Sequence, residues 1–188
     1  MNHERFAYFV MQGEAASKAV AEHPDTAPPH TLPISDNYDL SLVLPSEARD
    51  AFQASRVYRL FFVFENYVRD FVLGVLTETD AETWWTSKVP KNVQDEVAEL
   101  EKKEETKTWM GLGARDKISL TTLPQLLSII DYRWKEDFEP TLRDKSLIQN
   151  ARQIGHIRNT VCHMSPVPDE AEDRVKLVMR DWFRAVPP

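Results

Sequence analysis

The apolar residues between Val57 and Leu76 recur at intervals of three and four, and this run constrains the fold more than any other feature of the sequence. Such spacing places the side chains on one face of an α-helix. Four charged residues interrupt the run, namely Arg59, Glu65, Arg69 and Asp70. Because charges are costly at the centre of a bilayer, we predict a long helix in a protein core and no membrane span.

Further helical patterns follow this run, and the features that mark β-structure are scarce. The chain contains 5 Gly, fewer than the average share of about 7%, and few β-branched runs are bounded by tight-turn residues. We therefore predict an all-α fold, a bundle of about five helices preceded by an N-terminal arm. The later helices are expected over Asn92–Thr106, Leu120–Leu142 (beginning near Thr122), Ser146–Met164 and Asp169–Arg184.

The 188 residues suit one ordinary domain, which a proline-rich stretch precedes. Residues 3–22 have loosely helical apolar spacing and predict a short amphipathic helix. Pro24–Pro45 is rich in proline and small polar residues, a composition that disfavours helix and keeps the backbone extended. We predict an arm over residues 1–44 and a helical domain over residues 45–188, with Ser46 as the first helix cap.

Charge and cysteine content narrow the function classes. Lys and Arg total 23 against 30 Asp and Glu, a formal net charge of −7, which disfavours indiscriminate binding to nucleic acid. The single cysteine, Cys162, excludes an internal disulfide and a four-cysteine zinc cluster, as suits a reducing cytosol. The first residues lack the basic and apolar regions of a signal peptide, and Gly111–Gly113 is a turn without a phosphate-loop motif. We expect a cytoplasmic protein.

The predicted helix from Ser146 carries the most informative pattern. At about 100° per residue, Arg158 falls close to the apolar side. A guanidinium does not lose its charge by titration in a protein, so it needs an anionic partner or a cleft there. The wheel has an apolar line of Leu147, Ala151, Ile154 and Val161 and a polar line of Arg152, His156, Asn159 and His163.

Each of these residues also has a purely structural interpretation. Arg158 can pair with Glu65, which lies in the apolar run of the long helix, and its loss would then lower stability by about 3–5 kcal/mol. His163 near a helix end can act as a cap, and Cys162 can be a small buried hydrophobe. A zinc site from His156, Cys162 and His163 is disfavoured because the spacing matches neither the helical His-x-x-x-His pair nor a Cys-x-x-Cys knuckle.

Taken together, the segment Arg158–His163 resembles the Arg-Asn-x-x-x-His motif of the HEPN superfamily, with Asn159 as the polar residue that follows the arginine. The resemblance covers roughly residues 45–184 and leaves the arm outside. It implies a metal-independent endoribonuclease of the toxin–antitoxin or antiphage kind, acting as a homodimer whose two motif helices face one cleft. It also implies an antitoxin or another regulatory partner. Because of its proline content and its separation from the bundle, the arm of residues 1–44 is a candidate for autoinhibition, dimer exchange or partner docking.

The implied chemistry can be argued from the residue types. Cleavage of RNA by its own 2′-hydroxyl needs a base, an acid and positive charge at the phosphate, and it needs neither metal nor cofactor. Histidine can serve as base or acid, so His163 takes that role. Arg158 offers donors matched to phosphate oxygens, and Asn159 can orient the phosphate or the histidine. The expected products are a 2′,3′-cyclic phosphate and a 5′-hydroxyl.

Three further residues are assigned to substrate binding. Glu65 is included because acids on the long helix of many HEPN domains lie close to the motif arginine. Arg152 and His156 are included because they share the polar line and a locally basic segment, in which Arg143, Lys145, Arg152 and Arg158 outnumber Asp144. The alternative function is a non-catalytic HEPN domain that binds nucleotide, RNA or a partner protein through the same groove.

Overall fold

The computed structural model describes residues 12–13, 15–16, 32–36, 38–107 and 116–187. Most of the amphipathic helix predicted over residues 3–22 and all of the Gly111–Gly113 turn lie outside these residues. The chain divides into two compact units, Met1–Ser55 and Arg56–Pro188. The domain boundary that we predict after residue 44 stays a prediction.

The described part of the first unit begins with a short antiparallel pair. Strand β1 (Pro33–Ser35) pairs with β2 (Tyr38–Asp39), and a one-turn helix α1 (Leu40–Val43) follows. The extended backbone expected over Pro24–Pro45 is wrong at α1, where the chain makes a helical turn. The reason is the Asp39 side chain, which accepts hydrogen bonds from the Ser41 backbone N–H at 2.8 Å and its hydroxyl at 2.7 Å and so caps the turn.

The long helix predicted from the apolar run is present as α2 (Pro45–Thr79), 35 residues long. Proline fits its first turn because the N–H there has no partner within the helix. The prediction of Ser46 as the cap is wrong, since Ser46 lies inside the helix and its hydroxyl donates to the Glu47 carboxylate at 2.8 Å. The second unit buries one stripe of α2, made of Val57, Phe61, Phe64, Val68, Val72 and Leu76.

The regular elements in the rest of the described second unit are all helical, which confirms the all-α prediction. Helices α3 (Trp84–Lys88) and α4 (Lys91–Glu105) are followed by a 3₁₀ helix (Lys117–Leu120), α5 (Leu123–Tyr132), a π-helical turn (Trp134–Phe138), α6 (Glu139–Leu142), α7 (Ser146–Cys162) and α8 (Ala171–Ala185). Helix α7 packs against α5 and α8. Trp182 of α8 fills the core, where its ring meets Phe64 edge-on and its N–H donates to the Leu147 carbonyl at 3.1 Å.

The continuous helix predicted over Leu120–Leu142 is wrong, although its inner stripe is buried as expected. Thr122 and Gln125 form a capping box at the start of α5. A capping box marks the beginning of a helix, so α5 does not continue from the 3₁₀ helix that precedes it. The π-helical turn then keeps both Trp134 and Phe138 buried. Pro140 cannot donate to the preceding turn and sits in the first turn of α6. Among the described residues, no helix is both long enough and apolar enough to cross a membrane.

Candidate functional site

A cleft between α2 and the C-terminal half of α7 holds the arginine of the motif. Its volume is about 220 Å³. From α7 it is lined by Arg158, Val161 and Cys162. From α2 it is lined by Tyr58, Phe61, Phe62, Glu65, Asn66 and Arg69.

Glu65 lies between two arginines at the base of this cleft. Its Oε1 accepts a hydrogen bond from Arg69 Nη2 at 3.1 Å, and its Oε2 lies 3.6 Å from Arg158 Nε. The predicted pairing of Arg158 with Glu65 is therefore confirmed as an ion pair. The contact of Glu65 with Arg69 is shorter than its contact with Arg158, and the other contacts of the two arginines show that their physical roles differ.

Arg69 is committed to holding the fold together. Its guanidinium donates to the Ile118 carbonyl at 3.1 Å, the Thr121 carbonyl at 2.9 Å and the Asn66 side chain at 2.5 Å, in addition to Glu65. These bonds tie α2 to the 3₁₀ helix and to the start of α5. A guanidinium with four acceptors has little capacity left for a ligand.

Arg158 is far less committed. Its side chain is 26% exposed, and the 3.6 Å separation from Glu65 is too long for a good hydrogen bond. Among the described residues, Arg158 donates no hydrogen bond, so its N–H groups are available to a ligand of the cleft that it lines. An arginine in this state matches the bidentate geometry of a phosphate group.

The histidine of the motif lies at the end of α7, outside the described lining of the cleft. His163 is the last, half-helical residue, and its backbone N–H donates to the Asn159 carbonyl at 2.9 Å. The backbone N–H groups of Met164 and Ser165 donate to the Val161 and Thr160 carbonyls, both at 3.1 Å. This pair of bonds is a Schellman motif, which sets the end of the helix and the position of His163.

The Schellman motif also explains why α7 ends at Cys162 and not at the predicted Met164. Met164 occupies the position that normally holds glycine, with a left-handed backbone of φ 55°. Its side chain is exposed. A residue with a Cβ is strained there, at a cost of about 1–2 kcal/mol. The strain sits directly beside His163.

All four residues of the predicted polar line are exposed, but they do not share one site. Arg152 and His156 line a separate shallow cleft of about 490 Å³ with Gln153 and Arg174. Arg152 Nη2 also binds Asp131 at 2.7 Å. Asn159 and His163 line neither cleft among the described residues.

The local surplus of positive charge is smaller than the sequence suggests. Asp131 accepts hydrogen bonds from both Arg152, at 2.7 Å, and Lys145, at 3.0 Å. These bonds, with Arg152 contributing most, lower the pKa of Asp131 below its ordinary value. Two of the four basic residues in this segment are therefore hydrogen-bonded to one acid, whereas the ion pair of Arg158 with Glu65 is longer, at 3.6 Å.

The sequence analysis missed most of the α2 wall of the cleft. Tyr58, Phe62 and Asn66 are spaced by four residues, as are Glu65 and Arg69, and residues with this spacing lie on one face of a helix. Cys162 lies four residues after Arg158 and is exposed in the cleft, so its interpretation as a buried residue is wrong. From Glu65, steps of three, four and seven residues along the helix reach Phe62, Arg69 and Tyr58, and a step of four from Arg158 reaches Cys162.

The described residues contain no group of three histidine, cysteine, aspartate or glutamate side chains arranged to hold a metal ion. His156, Cys162 and His163 in particular do not come together as such a group. The candidate site is therefore a cleft with one available arginine, one shared acid and an aromatic wall.

Comparison with known proteins assigns the family. Neither a curated protein nor a solved structure matches the chain significantly. The family model for the Swt1-like HEPN domain matches residues 59–187, which span α2 from Arg59 through the end of α8 and include both motif residues. That match covers well over half of the chain and agrees with the all-α architecture. The chain therefore belongs to the HEPN superfamily, within its Swt1-like family.

Proposed function

We propose that this protein is a metal-independent endoribonuclease that acts as a homodimer. The observation that carries the proposal is Arg158, a half-buried guanidinium with unused donors at the wall of a cleft. A fixed positive charge of this kind suits the extra negative charge that develops on phosphorus during RNA cleavage. Membership of the HEPN superfamily supports the same activity, since HEPN domains are commonly ribonucleases.

The reaction uses the RNA's own 2′-hydroxyl as the nucleophile. A base removes the 2′-hydroxyl proton while the 2′-oxygen bonds to phosphorus, and the bond from phosphorus to the 5′-oxygen breaks as an acid supplies a proton to that oxygen. The products are a 2′,3′-cyclic phosphate and a 5′-hydroxyl. Arg158 binds the phosphate oxygens, His163 transfers protons, and Asn159 orients the phosphate or the histidine.

A homodimer resolves the separation of the motif residues. Within one chain, His163 lies outside the described lining of the Arg158 cleft, and one chain carries a single motif histidine for two proton transfers. A two-fold arrangement of two copies supplies two His163 and two Arg158 to a shared site. The exposed position of His163 at the end of α7 is compatible with its reaching a second copy.

The remaining residues act around this centre. Glu65 positions the guanidinium of Arg158 through their ion pair at 3.6 Å. Arg152 and His156 contact the RNA strand from the second cleft. The biological role we propose is that of a toxin or antiphage effector, held in check by an antitoxin or another regulatory partner.

The second candidate function is a non-catalytic domain that binds nucleotide, RNA or a partner protein. The observation that favours it is the same separation, because Arg158 can grip a phosphate in one chain without His163. The two functions differ in one respect that can be measured. A binding domain leaves the RNA intact, and its affinity depends on Arg158 but not on His163.

Incubation of the full chain with a labelled mixed RNA pool in EDTA tests the proposal. The samples are wild type, Arg158→Ala, His163→Ala and the control Arg180→Ala, which removes an exposed arginine of α8, each with folding and mass verified. We expect cyclic-phosphate ends from wild type and the control, and a loss of about 10²–10⁴-fold in each motif variant. Intact RNA with a confirmed wild-type dimer would favour the binding domain, and undiminished cleavage by His163→Ala would overturn the mechanism.

A further inference from the structure

Two aromatic side chains on the α2 wall of the cleft have no role in the mechanism above. Tyr58 and Phe62 lie one helical turn apart, with ring centroids 6.4 Å apart and an interplanar angle of 38°. Tyr58 is 53% exposed and Phe62 is 60% exposed. The two rings contact each other, yet each leaves more than half of its surface to solvent.

Both aromatic residues line the same cleft as Arg158. Single exposed aromatic residues are ordinary on protein surfaces. Here, in contrast, two of them stand beside a guanidinium that has unused donors. The cleft therefore presents two aromatic rings and a cation within one site, and its ligand should have a matching aromatic ring and anion.

The net charge of the cleft indicates the sign of the charge that its ligand should carry. Arg69 and Arg158 outnumber Glu65, a surplus of one positive charge in a chain with a formal net charge of −7. Glu65 already binds both arginines, so the surplus resides on Arg158. An anionic group is attracted to this end of the cleft and is repelled by much of the remaining surface.

The size of the cleft limits how much of a ligand enters it. Its volume of about 220 Å³ is smaller than the roughly 300–1,000 Å³ of pockets that enclose drug-sized molecules. The volume therefore suits a single nucleotide unit, with the rest of a strand outside the cleft. Stacking of bases on aromatic side chains is a general mode of binding for single-stranded nucleic acid.

We propose that Tyr58 and Phe62 form a stacking platform for the base of the RNA nucleotide whose phosphate binds Arg158. The inference rests on the proposed function for its substrate class and adds two positioning residues and a preference for unpaired RNA. A base inside a duplex cannot stack on a protein ring without leaving its partner. The platform is tolerant of base identity because every base has an aromatic face.

The test separates base stacking from phosphate binding and from catalysis. The probes are a short single-stranded 2′-O-methyl RNA, which lacks the nucleophile and cannot be cleaved by the proposed mechanism, and an abasic oligomer with the same phosphates. Full-length wild type is compared with Phe62→Leu and Tyr58→Leu, which stay apolar but lose the ring, and with Phe62→Tyr, which keeps it. Tyr132→Leu is the control, because Tyr132 is also 60% exposed and does not line this cleft.

A second readout places the bound probe in the cleft. Cys162 is the single cysteine of the chain and is exposed in this cleft, so its rate of alkylation by a maleimide reports whether the cleft is occupied. We expect the base-bearing probe to slow alkylation in wild type and in Tyr132→Leu. At the same concentration, the base-bearing probe should slow alkylation of Cys162 less in Phe62→Leu.

The expected result is a base-dependent loss of affinity. Wild type should bind the base-bearing probe more tightly than the abasic probe, and loss of one ring should weaken binding of the former by about 5- to 140-fold with little effect on the latter. Phe62→Tyr, which keeps the ring, should retain the difference in affinity between the base-bearing and abasic probes. Equal weakening of both probes, equal affinity of wild type for both, or a change in oligomeric mass in the leucine variants would overturn the inference.

These outcomes are distinguishable from failure of the proposed function. If wild type cleaves the RNA pool but binds base-bearing and abasic probes equally, the endoribonuclease stands and the stacking platform is refuted. If wild type neither cleaves RNA nor binds either probe, both are refuted. Base-dependent binding without cleavage supports the platform and favours the non-catalytic alternative.

Discussion

Replacing Arg69 with methionine should destabilise the protein far more than replacing Arg158 with methionine, although both arginines contact the same carboxylate. Arg69 donates four hydrogen bonds, two of them to carbonyls of Ile118 and Thr121 outside its own helix. Among the residues that the structure describes, Arg158 makes one ion pair, with Glu65 at 3.6 Å. The comparison therefore separates an arginine that serves the fold from one that is available to a ligand.

The structure sets the size of the difference. Removing Arg69 leaves Glu65 largely buried without its closer partner, and breaking such a pair costs about 3–5 kcal/mol. Removing Arg158 sacrifices a long, partly exposed ion pair, for which about 0–1 kcal/mol is typical. For a chain of 150–250 residues, 1 kcal/mol shifts Tm by about 2–4 °C. We expect Tm to fall by about 6–20 °C in Arg69→Met and by no more than about 4 °C in Arg158→Met.

Urea denaturation followed by circular dichroism measures both losses, and Arg180→Met serves as a surface control. The midpoint should fall strongly for Arg69→Met alone, at an unchanged slope that shows similar exposure of surface on unfolding. An equal loss in both variants, or a larger loss in Arg158→Met, would refute the reasoning. Arg158 would then be a structural residue, and the argument that its donors are free for phosphate would fail with it.

Three further predictions concern stability. Lys88→Met should lower the free energy of unfolding by about 1–3 kcal/mol, measured by thermal unfolding, because the buried Lys88 ammonium donates to the Leu76 carbonyl near the end of α2 at 2.9 Å. An unchanged free energy of unfolding would mean that this hydrogen bond is dispensable. Burial raises the pKa of Tyr67 from 10.0 to about 12, so its contribution to stability is complete below pH 10 and is lost as pH rises toward 12. Tyr67→Phe should flatten that part of the curve of unfolding free energy against pH. An unchanged curve would contradict the raised pKa of Tyr67. Hydrogen bonds from Arg152 and Lys145 lower the pKa of Asp131, so the contribution of Asp131 to stability is present above its ordinary pKa and is lost as pH falls. Asp131→Asn should therefore be less stable than wild type at neutral pH but lose less stability on acidification. Parallel curves of unfolding free energy against pH for the two proteins would exclude this role of Asp131.

The pairing at the centre of the site was accessible from the sequence because two local patterns agreed. Arg158 falls near the apolar line of its helix, and Glu65 lies within the apolar run of another, so each charge needs a partner where few are available. Arg69 was harder to place. Two of its acceptors are backbone carbonyls of the 3₁₀ helix and the start of α5, and every residue has a carbonyl, so no side-chain pattern marks them.

The division of the predicted Leu120–Leu142 helix shows a different limit. The buried positions follow a helical repeat closely enough that Trp134 and Phe138 were assigned correctly to the core. A π-helical turn adds one residue per hydrogen-bonded turn, and that change alters where the next segment points without altering which residues are apolar. Tertiary packing selects such a turn, so the repeat alone predicts the burial and not the breaks.

The left-handed backbone at Met164 has a consequence for protein engineering. Glycine at this position would remove a strain of about 1–2 kcal/mol, and it would also remove an exposed apolar side chain. A screen for thermostable variants should therefore recover Met164→Gly early, at the residue directly after His163. Stabilised variants of this chain need an activity assay before use, because this gain in stability lies directly beside the candidate proton-transfer residue.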